Sequence, residues 1–521
     1  MAPQHSEGDL QTLPDRVAAT FSHKTVLVTG GTGFMGKVLI EKLLRKCPDI
    51  NQIILFVRPK KGKDPQERLQ VMFSDPLFEK VTNMRGGIET LMKKMKVVGG
   101  DAQEPDLGLL PADREYIVDN VDIIIHAAAT IRFDEMLKKA VLLNVRGTKL
   151  ILELAKTCKK LKLFVHISTA YCHLHEKLLE EVAYPPPADP HKVIAAAELF
   201  DEATLESMSK KFLDTIPNSY AYTKALGEAL AVEATAHIPV LILRPSIVIP
   251  VIWEPLPGWT DNINGPTGLL IGAGKGVLRS MYCRSDSYAD YLPVDVFISG
   301  IMVAIWNYLS YGDTSSSIYN FTSSAEVKVT WHEMIETGRA IILNKVPLNG
   351  VAWYPGGSMK HSRLYHNICL VLFHWVPAML VDALLYVLRY EPVLMRVQRR
   401  INKGFEVFEY YTNNQWDFKS DKGQMVRKRL NEREAKEYKV DADGADIPQY
   451  FEHCVLAARR YILKESDDTI PAAKRHMRVM WVVDVIFRIV MYGLIMWYLY
   501  KWTSSIFSSS SVEPAERMLE F

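Results

Sequence analysis

Apolar residues fall along this chain in two rhythms. Short unbroken runs occupy Thr25–Thr29 (TVLVT), Gln52–Val57 (QIILFV), Lys96–Val98, Asp122–His126 (DIIIH), Leu163–Ile167 (LFVHI) and Val240–Leu243. They are short, rich in β-branched residues and free of polar alternation, as strands buried on both faces should be. Between them, Lys37–Lys46 and Glu135–Lys156 carry apolar residues at helical spacing. Regular alternation of the two patterns predicts right-handed crossovers and an α/β, Rossmann-type doubly wound parallel sheet. That domain, with a substrate-side lobe, is placed at residues 21–345, after a polar tail at residues 1–20. Aromatic and aliphatic residues at helical spacing in Tyr365–Tyr390 then open a mostly helical C-terminal domain over residues 350–465.

The last apolar run, Val479–Tyr500, is about long enough to cross a bilayer as a helix. Trp481, Trp497, Tyr498, Tyr500 and Trp502 suit the two interfaces, so a membrane helix is expected over residues 479–501 and a flexible tail over residues 502–521. Asp484 and Arg488 interrupt the run but are four residues apart and can pair on one face. Lys474, Arg475 and Arg478 precede it while Lys501 alone follows, which leaves the large N-terminal part in the cytosol. An earlier run, Asn367–Leu388, contains His374, Pro377 and Asp382 and reads as a buried hairpin or a membrane-contacting surface, not as a second span.

Composition narrows the classes. A formal net charge of +2 without a basic stripe excludes a general nucleic-acid binder. The 6 cysteines show neither C-x-x-C nor Cys/His ligand spacing, which predicts reduced thiols and no metal site. Met1–Asp15 lacks an apolar h-region, so no cleaved signal peptide is expected. Nothing in the pattern speaks to oligomeric state.

Thr29–Gly36 reads TGGTGFMG, between the first strand and the first helix. Gly30 permits the tight turn, Gly33 admits a pyrophosphate, and Gly36 lets the helix pack on the strand; Thr29, Phe34 and Met35 complete the loop. The G-x-x-G-x-x-G spacing resembles extended short-chain dehydrogenases. Arg58 ends the second strand where an NAD enzyme usually places an acid, and its fork suits the 2′-phosphate of NADP. Lys60, Lys61 and Lys63 read as a solvated basic loop. Asp101 is placed to meet the adenine amine, and Ala127, Ala128 and Ala129 are small enough to line the cofactor. Pro245 and Ser246, at the end of the sixth strand, belong at the nicotinamide end.

Tyr220 and Lys224 form Tyr-x-x-x-Lys, one helical turn apart. A carbonyl receiving hydride needs a proton donor; a phenol can serve, and a nearby ammonium should lower its pKa from about 10. Ser168 or Thr169, at the end of the fifth strand, can donate to the same oxygen, with Thr169 favoured by position. Asn144 either anchors a water leading to Lys224 or is a buried structural amide. Cys172 is the remaining candidate nucleophile.

These segments together resemble the fatty acyl-CoA reductase family: TGGTGFMGKVLIEKLLR (Thr29–Arg45), HISTAY (His166–Tyr171), YPPP (Tyr184–Pro187), YTKALGE (Tyr222–Glu228), LRPSIV (Leu243–Val248), PGWTDNINGPTGLL (Pro257–Leu270), LPVDV (Leu292–Val296) and FEYYTNNQW (Phe408–Trp416). The resemblance covers nearly the whole chain. It implies reduction of a long-chain fatty acyl-CoA to a primary alcohol with two NADPH, on a membrane of peroxisomes or the endoplasmic reticulum. It also implies Gly30, Gly33, Gly36 and Arg58 as NADPH contacts and Tyr220 and Lys224 as the catalytic pair. Two other classes share the N-terminal pattern: a membrane-anchored reductase of sterols or other hydrophobic alcohols, and a non-catalytic NADP-binding scaffold. The Pro257–Leu270 segment argues against the first, and the intact Tyr220–Lys224 pair against the second.

Overall fold

The computed structural model describes residues 12–59, 64–312, 317–323 and 328–509. Lys60, Lys61 and Lys63, residues 1–11 of the expected N-terminal tail and residues 510–521 of the expected C-terminal tail lie outside that range.

Each of the six short apolar runs becomes a strand of one parallel sheet: β1 (Thr25–Thr29), β2 (Gln52–Val57), β3 (Met95–Gly99), β4 (Ile123–His126), β5 (Leu163–Ile167) and β6 (Val240–Pro245). A seventh, β7 (Ile318–Phe321), pairs with β6 and falls in the segment assigned only to a lobe. The order is β3-β2-β1-β4-β5-β6-β7, so the chain reverses direction between β1 and β4. Ligands of open α/β sheets bind at such a switch point, outside the strand C-termini. Alternation of side chains along each strand feeds two cores. Val26, Val28, Ile53 and Leu55 face one layer, and Leu27, Ile54, Phe56 and Ile124 the other.

Helix α1 (Phe34–Lys46) follows β1, α2 (Gly147–Thr157) precedes β5, and α3 (Ser219–Ala234) precedes β6. The turn before α2, Val141–Arg146, is π-helical and carries Asn144. α4 (Val294–Tyr311) is apolar enough to cross a membrane but is largely buried against the sheet and α1.

Residues 350–465 are mostly helical, but their packing is continuous with the Rossmann core. Val426, Tyr438 and Tyr450 lie in the same core cluster as β1, and Ser358–Lys360 pairs with Ser280–Tyr282. The expected N-terminal tail is also corrected. Arg16–Thr20 is helical, Val17 is fully buried, and the Arg16 guanidinium forks onto Glu434 at 2.6 and 2.9 Å. Burying Val17 and pairing Arg16 give this segment a reason to order.

Two apolar helices stand largely exposed: α5 (Arg363–Val387), and α7 (Ile470–Ser509), with α6 (Leu394–Asn413) between them in the chain. His374 and Asp382, which interrupt the run, both face protein. His374 accepts from the Arg279 N–H at 3.2 Å, and Asp382 caps the start of α6 through the N–H groups of Val393, Leu394 and Met395. Its apolar residues, Leu372, Leu380 and Val387 among them, remain outside, so the run is a surface and not a buried hairpin. α7 begins before residue 479 and continues through residue 501 to Ser509, without the breaks expected on either side of the span. Asp484 and Arg488 pair at 2.7 Å as their spacing predicts. Asp484 is nonetheless buried, bonded also to the Trp353 indole and Arg279, so this half of α7 docks on the protein body.

Candidate active site

The glycine loop turns as its spacing demands. Gly30 has φ +73°, and a side chain there would meet Ala127 and Ala128 at 2.8 Å. At Gly36 a Cβ would lie 2.3 Å from the Gly30 oxygen, so helix and loop touch backbone to backbone. Gly33 caps α1 with no side chain on the first-turn N–H groups, and no acid occupies that turn. Those free donors, with the helix dipole behind them, suit the anionic phosphates of a dinucleotide.

The loop opens on a cleft of about 1070 Å³ along the strand C-termini. Gly30, Gly33, Phe34, Met35, Gly36, Arg58, Asp101, Ala127, Ala128, Ala129, Pro245 and Ser246 all line it, as do Ser168, Thr169 and Tyr220. Thr29 does not. Its buried hydroxyl meets the His126 ring at 2.8 Å and accepts from the Ala128 N–H at 3.1 Å, tying β1 to the turn after β4. Arg58 lies 3.8 Å from Asp101, which thereby faces a guanidinium. Beside them stands Arg68, which the sequence reading did not single out. It donates to the Arg58 carbonyl and, at 2.9 Å, to the Thr32 hydroxyl of the glycine loop. Only tertiary packing brings it there; its sequence signal is limited to a helix start at Asp64-Pro65.

α3 carries Tyr220, Lys224 and Glu228 at successive four-residue steps. Burial pushes the Tyr220 phenol up to about 12, and its hydrogen bond to Thr169 acts the other way. The depression expected from Lys224 is absent. The ammonium donates to the Ile167 carbonyl at 2.5 Å, and burial brings it down to about 8 against the upward pull of Cys172 and Glu228. Ser168 and Thr169 part company: Ser168 donates to Glu228 at 2.6 Å, leaving Thr169 beside the phenol. Asn144 is buried and spanning. Its oxygen accepts from the Thr130 N–H at 2.8 Å and its amide donates to the Thr223 hydroxyl at 3.0 Å, so it locks the π-turn to α3.

Beneath the cleft lies a charged knot that spacing did not disclose. Arg244 holds Glu228 at 2.6 and 3.0 Å, and His173 approaches the same carboxylate at 3.2 Å. Burial opposes the Glu228 charge, but Arg244 and His173 hold the carboxyl well below the usual range. Cys172, His173 and Glu228 bring ligand-type atoms within 4.8 Å of one another, and the guanidinium already neutralises the carboxylate there.

A second, apolar cavity of about 190 Å³ adjoins the cleft. Ile249, Pro250, Pro266 and Thr267 line both spaces. Beyond them the walls are Leu269, Leu270, Met334, Ile342 and Phe451, drawn from both sides of residue 350.

Residues 28–301 match the family model described as Male sterility protein, and residues 373–465 match a second model of the same description. The chain is 36% identical to "Fatty acyl-CoA reductase 1" of Mus musculus over 457 residues, 88% of each chain. It is 34% identical to "Fatty acyl-CoA reductase wat" of Drosophila melanogaster over 481 residues, 92% of each. Among solved structures, the reductase (R) domain of a nonribosomal peptide synthetase from Mycobacterium tuberculosis superposes with a TM-score of 0.55 at 20% identity, over 86% of this chain and 97% of that one. That likeness is one of fold. The glycine loop at the switch point and the family match together give the site a nicotinamide dinucleotide cofactor. The chain belongs to the fatty acyl-CoA reductase family, within the extended short-chain dehydrogenase/reductase superfamily.

Proposed function

We propose that this protein reduces a long-chain fatty acyl-CoA to the primary fatty alcohol and free CoA, using NADPH, through an aldehyde that stays bound. The observation that carries the reading is the junction of the dinucleotide cleft with an apolar cavity: Ile249, Pro250, Pro266 and Thr267 border both. A carbonyl beside Tyr220 can then extend an alkyl chain away from water, each buried methylene contributing about 0.8 kcal/mol. A sterol reductase is the lesser reading, since the family match runs through the C-terminal region as well. NADPH over NADH is supported by Arg58 and Arg68, two guanidiniums at the β2 edge of the cleft.

When bound, the cofactor supplies hydride. Tyr220 protonates the oxygen as negative charge arrives, and the Thr169 hydroxyl holds the same oxygen in place. Lys224, one turn further along α3 with its ammonium on the Ile167 carbonyl, would orient the ribose. After the first reduction the oxygen returns its proton to Tyr220 as the carbonyl re-forms and CoA leaves as thiolate, a far better leaving group than alkoxide. The aldehyde then offers the same carbonyl to the same phenol.

The exposed apolar faces of α5 and α7 support attachment to a membrane, and Lys474, Arg475 and Arg478 at the start of α7 support a cytosolic catalytic body. The test of the function is direct. Protein supplied with NADPH and palmitoyl-CoA should yield hexadecanol, and Tyr220→Phe should lower turnover by roughly two orders of magnitude, the usual scale of acid catalysis. Absence of alcohol from the native protein, or undiminished turnover in the variant, would contradict it.

A further inference from the structure

The glycine-loop cations are not the only ones on the cleft. A second group gathers where α6 crosses the loop after β4: Arg132, Arg400 and Lys403, all lining the same space. Arg400 and Lys403 are three residues apart and share a face of α6. Asp134 lies among them, 3.2 Å from Arg132 and 2.9 Å from Lys403, and Glu135, next in the chain, also acts on Arg132. Asp134 holds the Arg132 and Lys403 side chains toward each other across the mouth, and Arg400 adds a third cation beside them. Between Arg132 and Asp134 in the chain lies Phe133, whose ring packs on Tyr220 at 5.4 Å and stacks on Tyr411 at 5.5 Å. The cations therefore line the Tyr220 end of the cleft, on the side formed by the C-terminal region.

We infer that Arg132, Arg400 and Lys403 form an anion subsite that holds the phosphates of the CoA carrier while its thioester lies at Tyr220. The assignment rests on the acyl-CoA reading above and extends it to the carrier. CoA places a diphosphate and a 3′-phosphate at the far end of a flexible pantetheine arm. A substrate of that shape needs three surfaces: apolar walls for the chain, a proton donor for the carbonyl and cations for the phosphates. The apolar cavity, Tyr220 and this group are those three, and the Gly33 end of the cleft remains for the dinucleotide. Guanidinium forks suit phosphate oxygens, and charges at the rim of a site also speed encounter with a polyanion.

The test compares two thioesters that differ only in the phosphates: palmitoyl-CoA and S-palmitoyl-pantetheine. Native protein should prefer the CoA thioester in kcat/KM, and added salt should erode that preference. Arg400→Glu, and Arg400→Glu with Lys403→Gln, should shrink the CoA-to-pantetheine ratio by about tenfold or more, as lost charge-assisted contacts would. Because the ratio is taken within one preparation, partial misfolding cannot mimic the effect. Arg399→Glu, a neighbouring charge change outside the cleft lining, should leave the ratio as it is. An unchanged ratio in the Arg400 variants, or an equal loss in Arg399→Glu, overturns the subsite while acyl-CoA reduction stands. If the native protein reduces neither thioester, the acyl-CoA reading falls, and the subsite with it.

Discussion

At the scale of single residues, the site is defined by which side chains line the cleft and which are bonded into the protein. Tyr220, Thr169 and Ser168 line the cleft, but the Thr169 hydroxyl also donates to the Pro245 carbonyl and accepts from the Tyr171 N–H, and Ser168, Asn144 and Thr29 are bonded to protein. Lys224 is the sharpest residue-scale test. Burial holds its ammonium down to about 8, so the cation is lost as pH rises through that value. If its charge assists Tyr220, kcat/KM should fall above pH about 8, and Lys224→Arg, which cannot deprotonate there, should abolish the fall even where it lowers the rate. A descent that survives in Lys224→Arg would assign it to another group. The coenzyme is tested at Arg58 and Arg68. Replacing Arg58 with Asp should lower the NADPH-over-NADH ratio of kcat/KM by roughly tenfold or more, and Arg68→Ala should lower it further. Equal ratios in native and doubly changed protein would mean that the 2′-phosphate is held elsewhere. Residue types in their strand–turn–helix setting were enough to place the glycine loop, Tyr220 and Arg58 on one cleft. Position in the sequence favoured Thr169 over Ser168; the structure adds that Glu228, from another element, accepts from the serine hydroxyl.

At the scale of elements, strands read well because continuous apolar runs have few alternatives, whereas β7 is four residues and passed unseen. α7 shows what periodicity omits. Its 40 residues, at about 1.5 Å each, extend roughly 60 Å, about twice the hydrocarbon thickness of a bilayer. The half up to Arg488 docks through Asp484 on Trp353 and Arg279, and Ile489–Trp502 is left apolar and exposed. Arg279 also meets α5 through His374, so both apolar helices converge on one junction. Membrane attachment should therefore be shared. A chain ending at Ser466 should remain with membranes but become extractable by carbonate, and adding Leu380→Glu and Val387→Glu should release it. Complete solubility of the truncation alone would assign the whole attachment to α7.

At the scale of the whole molecule, contacts cross the expected division near residue 350. Arg16 grips Glu434, Tyr450 donates to the Pro250 carbonyl, and the apolar cavity takes walls from both sides of the boundary. Contacts between residues hundreds of positions apart leave no local trace, which is why neither the cavity nor the Arg132–Arg400–Lys403 group was legible in the chain. In the proposed reaction the aldehyde would be held at the junction of cleft and apolar cavity between reductions. The most direct measurement is NADPH consumed per CoA released, with aldehyde and alcohol quantified together. The account predicts two NADPH per CoA, alcohol as product and little free aldehyde during turnover; a ratio of one with aldehyde accumulating would contradict it.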